Sequence, residues 1–408
     1  MGGSALKRKS KESTKLSRDK KDKRWRLLAL VILFVLYFSL VALYSSHIPV
    51  GKGVDEEAHF LYVEDILKSG HLPKLDVPHG GHYESHQPPL FYLLSLPIAY
   101  LCGESWRVWG RIFSSLLVGL SGFICYLAGR RLFKNEFLAI ASGAFVLLLP
   151  GNILIASGFT NDSLVQALFS LAIFFLLGEE ERDWLWGGLA TAGAIMAKLS
   201  VIILIPAVFL AFLLSLKNKG DWRKEIKKLL FFFLPIVLID SWWFVRNKIL
   251  YGDFLAWRVF QEAFAASPHP SYFLERGFGW GGYWLFVFLT CFGSFWTPLL
   301  RLRFLPTCYY IIPTIFLLLA ISGGIKWIKE EKDESATVYL LIFSFFFLFL
   351  SFIRFNLYFF EAQGRYLYPA LCAFSLLFNG GLERINRFLP YLLYPYLLLL
   401  AFLSLPLL

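Results

Sequence analysis

The chain has 408 residues, of which 57% are hydrophobic and only 17% charged, with a net charge of +11. Its apolar residues come in long blocks rather than on single faces, which excludes an ordinary soluble globular domain. The basic excess is gathered at one end, beside an apolar run, and so points to membrane topology rather than to a nucleic-acid partner.

In chain order, residues 1–26 hold eleven Lys/Arg against three acids. With few aromatics and no apolar period, they read as a basic disordered cytoplasmic tail. The rest, 27–408, reads as one transmembrane domain. The run LLALVILFVLYFSLVALY (27–44) is long enough to cross a hydrocarbon core of about 30 Å. It is too long for a signal-peptide core, and the reading is a retained first span, 27–47. Segment 48–105 then forms the first outer loop, with three Lys/Arg against eight Asp/Glu.

Further spans follow at 106–129, 137–157 and 163–178, with TND (160–162) at an outer tip. The block 184–216 is read as two short spans turning near Lys198, because a single span would put the basic 217–228 outside. A span at 229–245 leads out, and 283–304 reads as a re-entrant or interfacial helix. Spans at 308–325, 336–353, 370–382 and 389–408 complete the chain. The predicted fold is an all-α polytopic membrane protein of about eleven transmembrane helices, with amphipathic helices in an outer-face loop. The N-terminus is cytoplasmic and the membrane is the plasma membrane. The five cysteines, Cys102, Cys125, Cys291, Cys308 and Cys372, lie in or beside apolar segments with no CxxC pair. They read as core residues rather than a disulfide framework.

This count gathers the polar groups set in apolar sequence at one face. Asp55, Glu56, Asn161, Asp162, Lys198, Arg246, Glu361 and Arg365 all fall at or near the outer side. Charged groups at a membrane edge are costly and default to function. Within the outer loop, VDEEAHFLYVEDILK (54–68) has a helical period, and Gly70 and Pro73 end it. It reads as a surface helix carrying Asp55, Glu56 and His59. Six of the seven histidines lie between positions 47 and 86. His82 and His86 have a zinc-like spacing, but Gly80, Gly81 and the Pro88–Pro89 pair argue against a helix there. A divalent cation held by Glu84 and His86 fits better than a histidine-only zinc site.

The order of motifs resembles a known family. DE at 55–56, SGHLP (69–73), YESHQPPLFYLL (83–94) and then Arg111 look like the first outer loop of GT-C membrane glycosyltransferases. That group includes protein O-mannosyltransferases and lipid A aminoarabinose transferases. TNDSLV (160–165), AKLS (197–200), WWFVRNKILYGDF (242–254) and EAQGRYLYPAL (361–371) are similar to motifs of bacterial members. The resemblance implies transfer of a sugar from a polyprenyl-phosphate-linked donor to a glycan, lipid or protein acceptor on the extracytoplasmic face. It implies Asp55 as catalytic base. The chain departs from the mannosyl and aminoarabinose branches just before Pro88, where His86 and Gln87 stand in place of an acid and a lysine.

The chemistry suits these residues. A carboxylate in reach of an acceptor hydroxyl takes its proton, and one base suffices for inversion. Glu56 lies about 100° around a helix from Asp55 and reads as its supporting neighbour. The leaving lipid phosphate needs cations, for which Arg365, Lys198 and Arg246 are candidates. Gly364 reads as a point of close backbone approach, and Tyr366 as a sugar-contacting ring. His59, Glu84, His86, Asn161 and Asp162 complete the expected substrate contacts. The competing reading is a transporter or flippase of a lipid-linked sugar, without transferase activity. It needs a polar path through the membrane centre and internal repeat symmetry, and neither is evident.

Overall fold

The computed structural model describes residues 3–76, 83–216, 222–299, 304–330 and 335–408, with side chains described from Arg24 onward apart from those at 215 and 335. Among the described residues the chain is helical with no strand. The first helix, α1 (Gly3–His47), carries the first span in its second half. The basic segment expected as a disordered tail continues that helix from Gly3. A Lys- and Arg-rich stretch has good helix propensity once the span has supplied the nucleus.

The outer loop is more structured than a loop. α2 (Glu56–Ser69) is the expected surface helix, and Gly70 closes it in the left-handed conformation, its N–H donating to the Ile66 carbonyl. A 3₁₀ turn, Tyr83–His86, follows. Then comes an apolar helix, α3 (Leu90–Cys102), absent from the sequence reading. A short turn joins it to α4 (Trp106–Phe133), so that Leu90–Phe133 forms one long apolar stretch.

The expected span at 137–157 is broken. α5 (Glu136–Leu148) and α6 (Pro150–Ala156) meet at a 63° bend. Pro150 has no N–H to give the preceding turn and is well placed to start a new helix, so the break falls there. Asn135 caps α5, accepting from the N–H groups of Phe137 and Leu138. α7 (Asp162–Leu176) and α8 (Glu181–Ala197) return across the bundle and pack on each other. Lys198 ends α8 in an extended conformation, and a 3₁₀ turn (Leu199–Ile203) leads into α9 (Leu204–Leu216). Block 184–216 is thus two helices with the break at Lys198, as the charge rule required.

α10 (Trp222–Tyr251) packs along α8. Short helices α11 (Trp257–Ala263) and α12 (Pro270–Leu274) follow on the 252–278 segment. The stretch read as re-entrant is α13 (Gly279–Trp296). The chain ends with α14 (Ile311–Glu330), α15 (Ser335–Asn356), α16 (Leu371–Ile385) and α17 (Leu389–Leu403). Five of these helical stretches are long and apolar enough to span a membrane, or six with the bent pair. Others of the expected eleven are shorter. Leu27, Val35, Leu238, Ile249 and Leu318 stay exposed, as befits faces turned to lipid. The protein is a multi-pass membrane protein.

The site end of the bundle is fixed by aromatic packing. The Tyr62 and Tyr92 rings stack 3.6 Å apart, and Phe60 stacks on Phe159 at 4.8 Å. These pairs lock α2 onto α3 and onto the segment that follows α6.

Candidate active site

Asp55 sits just before α2, at φ 52°, in the left-handed region that Asp tolerates better than most residues. Its carboxylate makes no capping bond to the helix. Instead it turns into a cavity of about 320 Å³. Tyr83 donates to one carboxylate oxygen at 2.9 Å, and Arg365 Nη2 donates to the other at 2.5 Å. Arg365 also reaches Asp162 at 3.5 Å, and Asp162 in turn accepts from Lys198. Two acids and two cations from four separate segments therefore form one chain of charge. Partial burial works against the charge on Asp55, but the Arg365 guanidinium outweighs it, with help from His59 and Tyr83. Its pKa is held down at about 2.

The polar lining also includes His59, Glu84, His86, Gln87, Asn161, Arg354, Glu361, Gln363 and Tyr366. His59 is held between the Tyr92 hydroxyl at 2.9 Å and Thr160 at 3.4 Å, and burial lowers its pKa. His86 Nδ1 lies 2.6 Å from the Tyr83 carbonyl, which makes that nitrogen the donor and leaves Nε2 its lone pair. Burial brings the His86 pKa down to about 4. Glu84 is 6% exposed, and its Oε2 has no hydrogen-bond partner. Burial raises its pKa above the usual carboxylate range. Tyr366 stacks under both cations, its ring 5.1 Å from the Arg365 guanidinium and 5.7 Å from Lys198 Nζ. Asn161 donates to the Ala197 carbonyl at 3.1 Å, tying α7 to the break at Lys198.

The lining also has an apolar part. Leu199, Ile202 and Ile203 join it from the turn before α9, and Leu348 and Phe352 from α15. Trp257, Phe260 and Phe264 line it from α11 and the residue after, with Phe355 and Phe359 beyond.

Three expected site residues have other work. Glu56 is fully buried and accepts from both sides of Arg111, at 2.6 and 2.7 Å, and from the N–H groups of Gly51, Gly53 and Phe159. Every lone pair facing the protein is used, so Glu56 shapes the loop that presents Asp55 and has no spare oxygen for a substrate. Arg246 donates to the Pro73 carbonyl at 2.8 Å and lies over the Trp243 ring, away from the cavity wall. Gly364 does permit a close approach, but to protein. A Cβ there would come within 2.3 Å of the Phe295 nitrogen on α13.

Glu84 and His86 offer two donors to a cation. Among the described residues, no group of three or more His, Cys, Asp or Glu side chains could hold a metal. The histidines at 79 and 82 lie outside the described residues. Sequence reasoning missed Tyr83 on Asp55, 28 positions away, and Gln363 on Arg365, two positions away, since neither residue type signals its partner.

The chain shares its fold with solved membrane-enzyme structures at low sequence identity, and part of it matches a family profile. Residues 86–243 match the family profile described as dolichyl-phosphate-mannose-protein mannosyltransferase. Among solved structures the chain is similar to ArnT from Cupriavidus metallidurans bound to undecaprenyl phosphate, with 17% identity and a TM-score of 0.55 over 88% of this chain and 60% of that one. It is also similar to the oligosaccharyltransferase AglB from Archaeoglobus fulgidus in complex with an inhibitory peptide and a dolichol-phosphate, with 15% identity and a TM-score of 0.59 over 94% and 56%. The same Archaeoglobus fulgidus enzyme in complex with Zn and sulfate matches at 14% identity and a TM-score of 0.57 over 92% and 51%. The chain therefore spans about 60% of the length of ArnT and less of AglB. No curated protein matches it in sequence.

Proposed function

We propose that the chain transfers a sugar from a polyprenyl-phosphate-linked donor to a glycan, lipid or protein acceptor on the extracytoplasmic face, with inversion and with Asp55 as base. The observation that supports this most is the cavity itself. Its lining carries Asp55, Lys198 and Arg365 together with apolar side chains from the turn before α9, from α11 and from α15. A lipid-linked phosphosugar is a molecule of this kind, charged at one end and apolar at the other.

In this reading the acceptor hydroxyl approaches Asp55, which Tyr83 and Arg365 hold in one orientation. Asp55 takes the hydroxyl proton as the oxygen bonds to the anomeric carbon, and the bond to the lipid phosphate breaks. Cationic side chains receive the charge on the departing phosphate. No second carboxylate is needed as nucleophile. Glu84 and His86 are the side chains that would hold a divalent cation, with its remaining ligands drawn from substrate and water. Such a cation would neutralise phosphate charge, and Asp55 does its work without it.

The polar and apolar lining at one end of the bundle favours transfer over transport, which calls for a polar path across the membrane centre. The test is transfer from a polyprenyl-phosphate sugar in purified protein, together with mass spectrometry of envelope glycans and glycoproteins with and without the gene. Wild-type transfer that disappears in Asp55→Asn supports the reading. Lipid movement across proteoliposomes with no sugar transferred favours the transporter.

A further inference from the structure

Three full cations line the cavity: Lys198, Arg354 and Arg365. Lys198 is bonded to Asp162, and Arg365 to Asp55 and Asp162. These two cations are balanced by two carboxylates before any substrate arrives. An incoming phosphate could take Arg365 only by stripping the base of the partner that orients it.

Arg354 differs. It is exposed, and among the described residues no carboxylate lies within ion-pair distance of it. Its guanidinium is held in place by rings instead, 4.7 Å from the Trp257 centroid and 5.8 Å from that of Tyr358. Trp257 is itself fixed. Asp253 accepts from the N–H groups of Leu255, Trp257 and Arg258, which builds the turn that opens α11. Stacking on a ring leaves the edge of a guanidinium, with its fork of N–H donors, open to an anion. The position suits one kind of anion. Arg354 lies near the end of α15, one turn after Ser351, and Leu348, Ser351, Phe352 and Phe355 of the same helix line the cavity.

We propose that Arg354 is the docking residue for the phosphate of a lipid-linked phosphate, while Arg365 stays with Asp55 as the partner of the base. The inference rests on the lipid-phosphate reading above and divides the labour between two arginines. It places the cation that receives the phosphate on the helix that also lines the tail groove. By its sequence position alone Arg354 has no prominence, because it reads as a basic residue at the end of a span.

The test measures binding of farnesyl phosphate, farnesol and inorganic phosphate to purified full-length protein in detergent. The proteins compared are wild type, Arg354→Ala, Arg354→Lys and Arg365→Ala. Arg354→Ala should bind farnesyl phosphate about tenfold more weakly, as loss of a charge-assisted contact predicts. Its farnesol binding should be unchanged, and Arg354→Lys should recover part of the loss. If Arg354→Ala binds farnesyl phosphate like wild type while Arg365→Ala loses it, the inference is overturned and the lipid-phosphate reading stands. If inorganic phosphate binds as tightly as farnesyl phosphate, the site is one for free phosphate and the inference fails. If wild type prefers farnesyl phosphate to farnesol in no degree, both the inference and the donor class fall.

Discussion

Asp55 combines three properties that are separable by mutation: a left-handed backbone, a carboxylate aimed away from its own helix, and a pKa near 2. Asn is the replacement that best keeps the backbone. Asp55→Asn should therefore fold and insert normally, yet lose transfer by about 10²–10⁴-fold, the usual worth of a general base. Size-exclusion and transfer assays on one preparation separate these effects, and full transfer by Asp55→Asn ends the assignment. The low pKa also has a sign. The Asp55 carboxylate gains stability in the folded state that is fully present above about pH 4 and is lost as pH falls towards 2. His86 runs the other way. Between about pH 6.5 and its folded pKa of about 4, the unfolded chain binds a proton that the folded one does not. His86 therefore makes stability fall as pH falls through that window, and His86→Gln should flatten this part of a melting-temperature profile. A steeper profile in the variant would contradict the assignment.

At the scale of elements, the outer loop depends on a buried clamp rather than on its surface charges. Glu56 and Arg111 are 0% and 7% exposed and bind each other through two contacts. Removing one partner strands the other charge, so Arg111→Met should cost about 3–5 kcal/mol. A fall in the detergent melting temperature is the readout, and the double variant with Glu56→Gln should be less destabilised than the sum of the two singles. The pair Arg107–Glu57 is half-exposed and should matter far less. The segment bearing Arg365 has its own constraint. Gly364 lies against the backbone of α13, and its N–H donates to Ser294 at 2.7 Å. Gly364→Ala would push a Cβ into backbone that cannot move aside, and should destabilise by about 1–3 kcal/mol while shifting Arg365 from Asp55. A Gly364→Ala protein of wild-type stability would refute the close packing. Sequence reasoning found α2, its Gly70 stop and the break at Lys198, because each has a local signal. It missed α3, since an apolar stretch after a Pro pair carries no sign of whether it is loop, span or surface helix.

For the whole molecule, the decisive question is which side of the membrane the site faces. In a background free of the exposed Cys308, Lys52→Cys should react with a membrane-impermeant thiol reagent added to intact cells. Labelling only after permeabilisation would reverse the topology and move the site to the cytoplasmic face. The charge asymmetry between 1–26 and 48–105 is the ground for expecting this orientation. The bundle adds what composition cannot: Asp55 and Arg365 stand 310 positions apart in the chain and share a hydrogen bond.

The sequence by itself determined the membrane class, the helical architecture and most of the polar residues that line the cavity. Apolar runs, loop charge and helix stops are local properties, and the cost of burying a charge in lipid marks the polar exceptions. Only the tertiary structure decided which partners each of those residues has. Glu56 and Asp55 are neighbours of the same chemical type, and no local property separates them. Arg111 and three N–H groups saturate one, while the other is left facing a cavity. Arg246, Arg354 and Arg365 likewise look alike in sequence. Their partners are a carbonyl, two aromatic rings and a pair of carboxylates, and all but the Tyr358 ring come from distant parts of the chain.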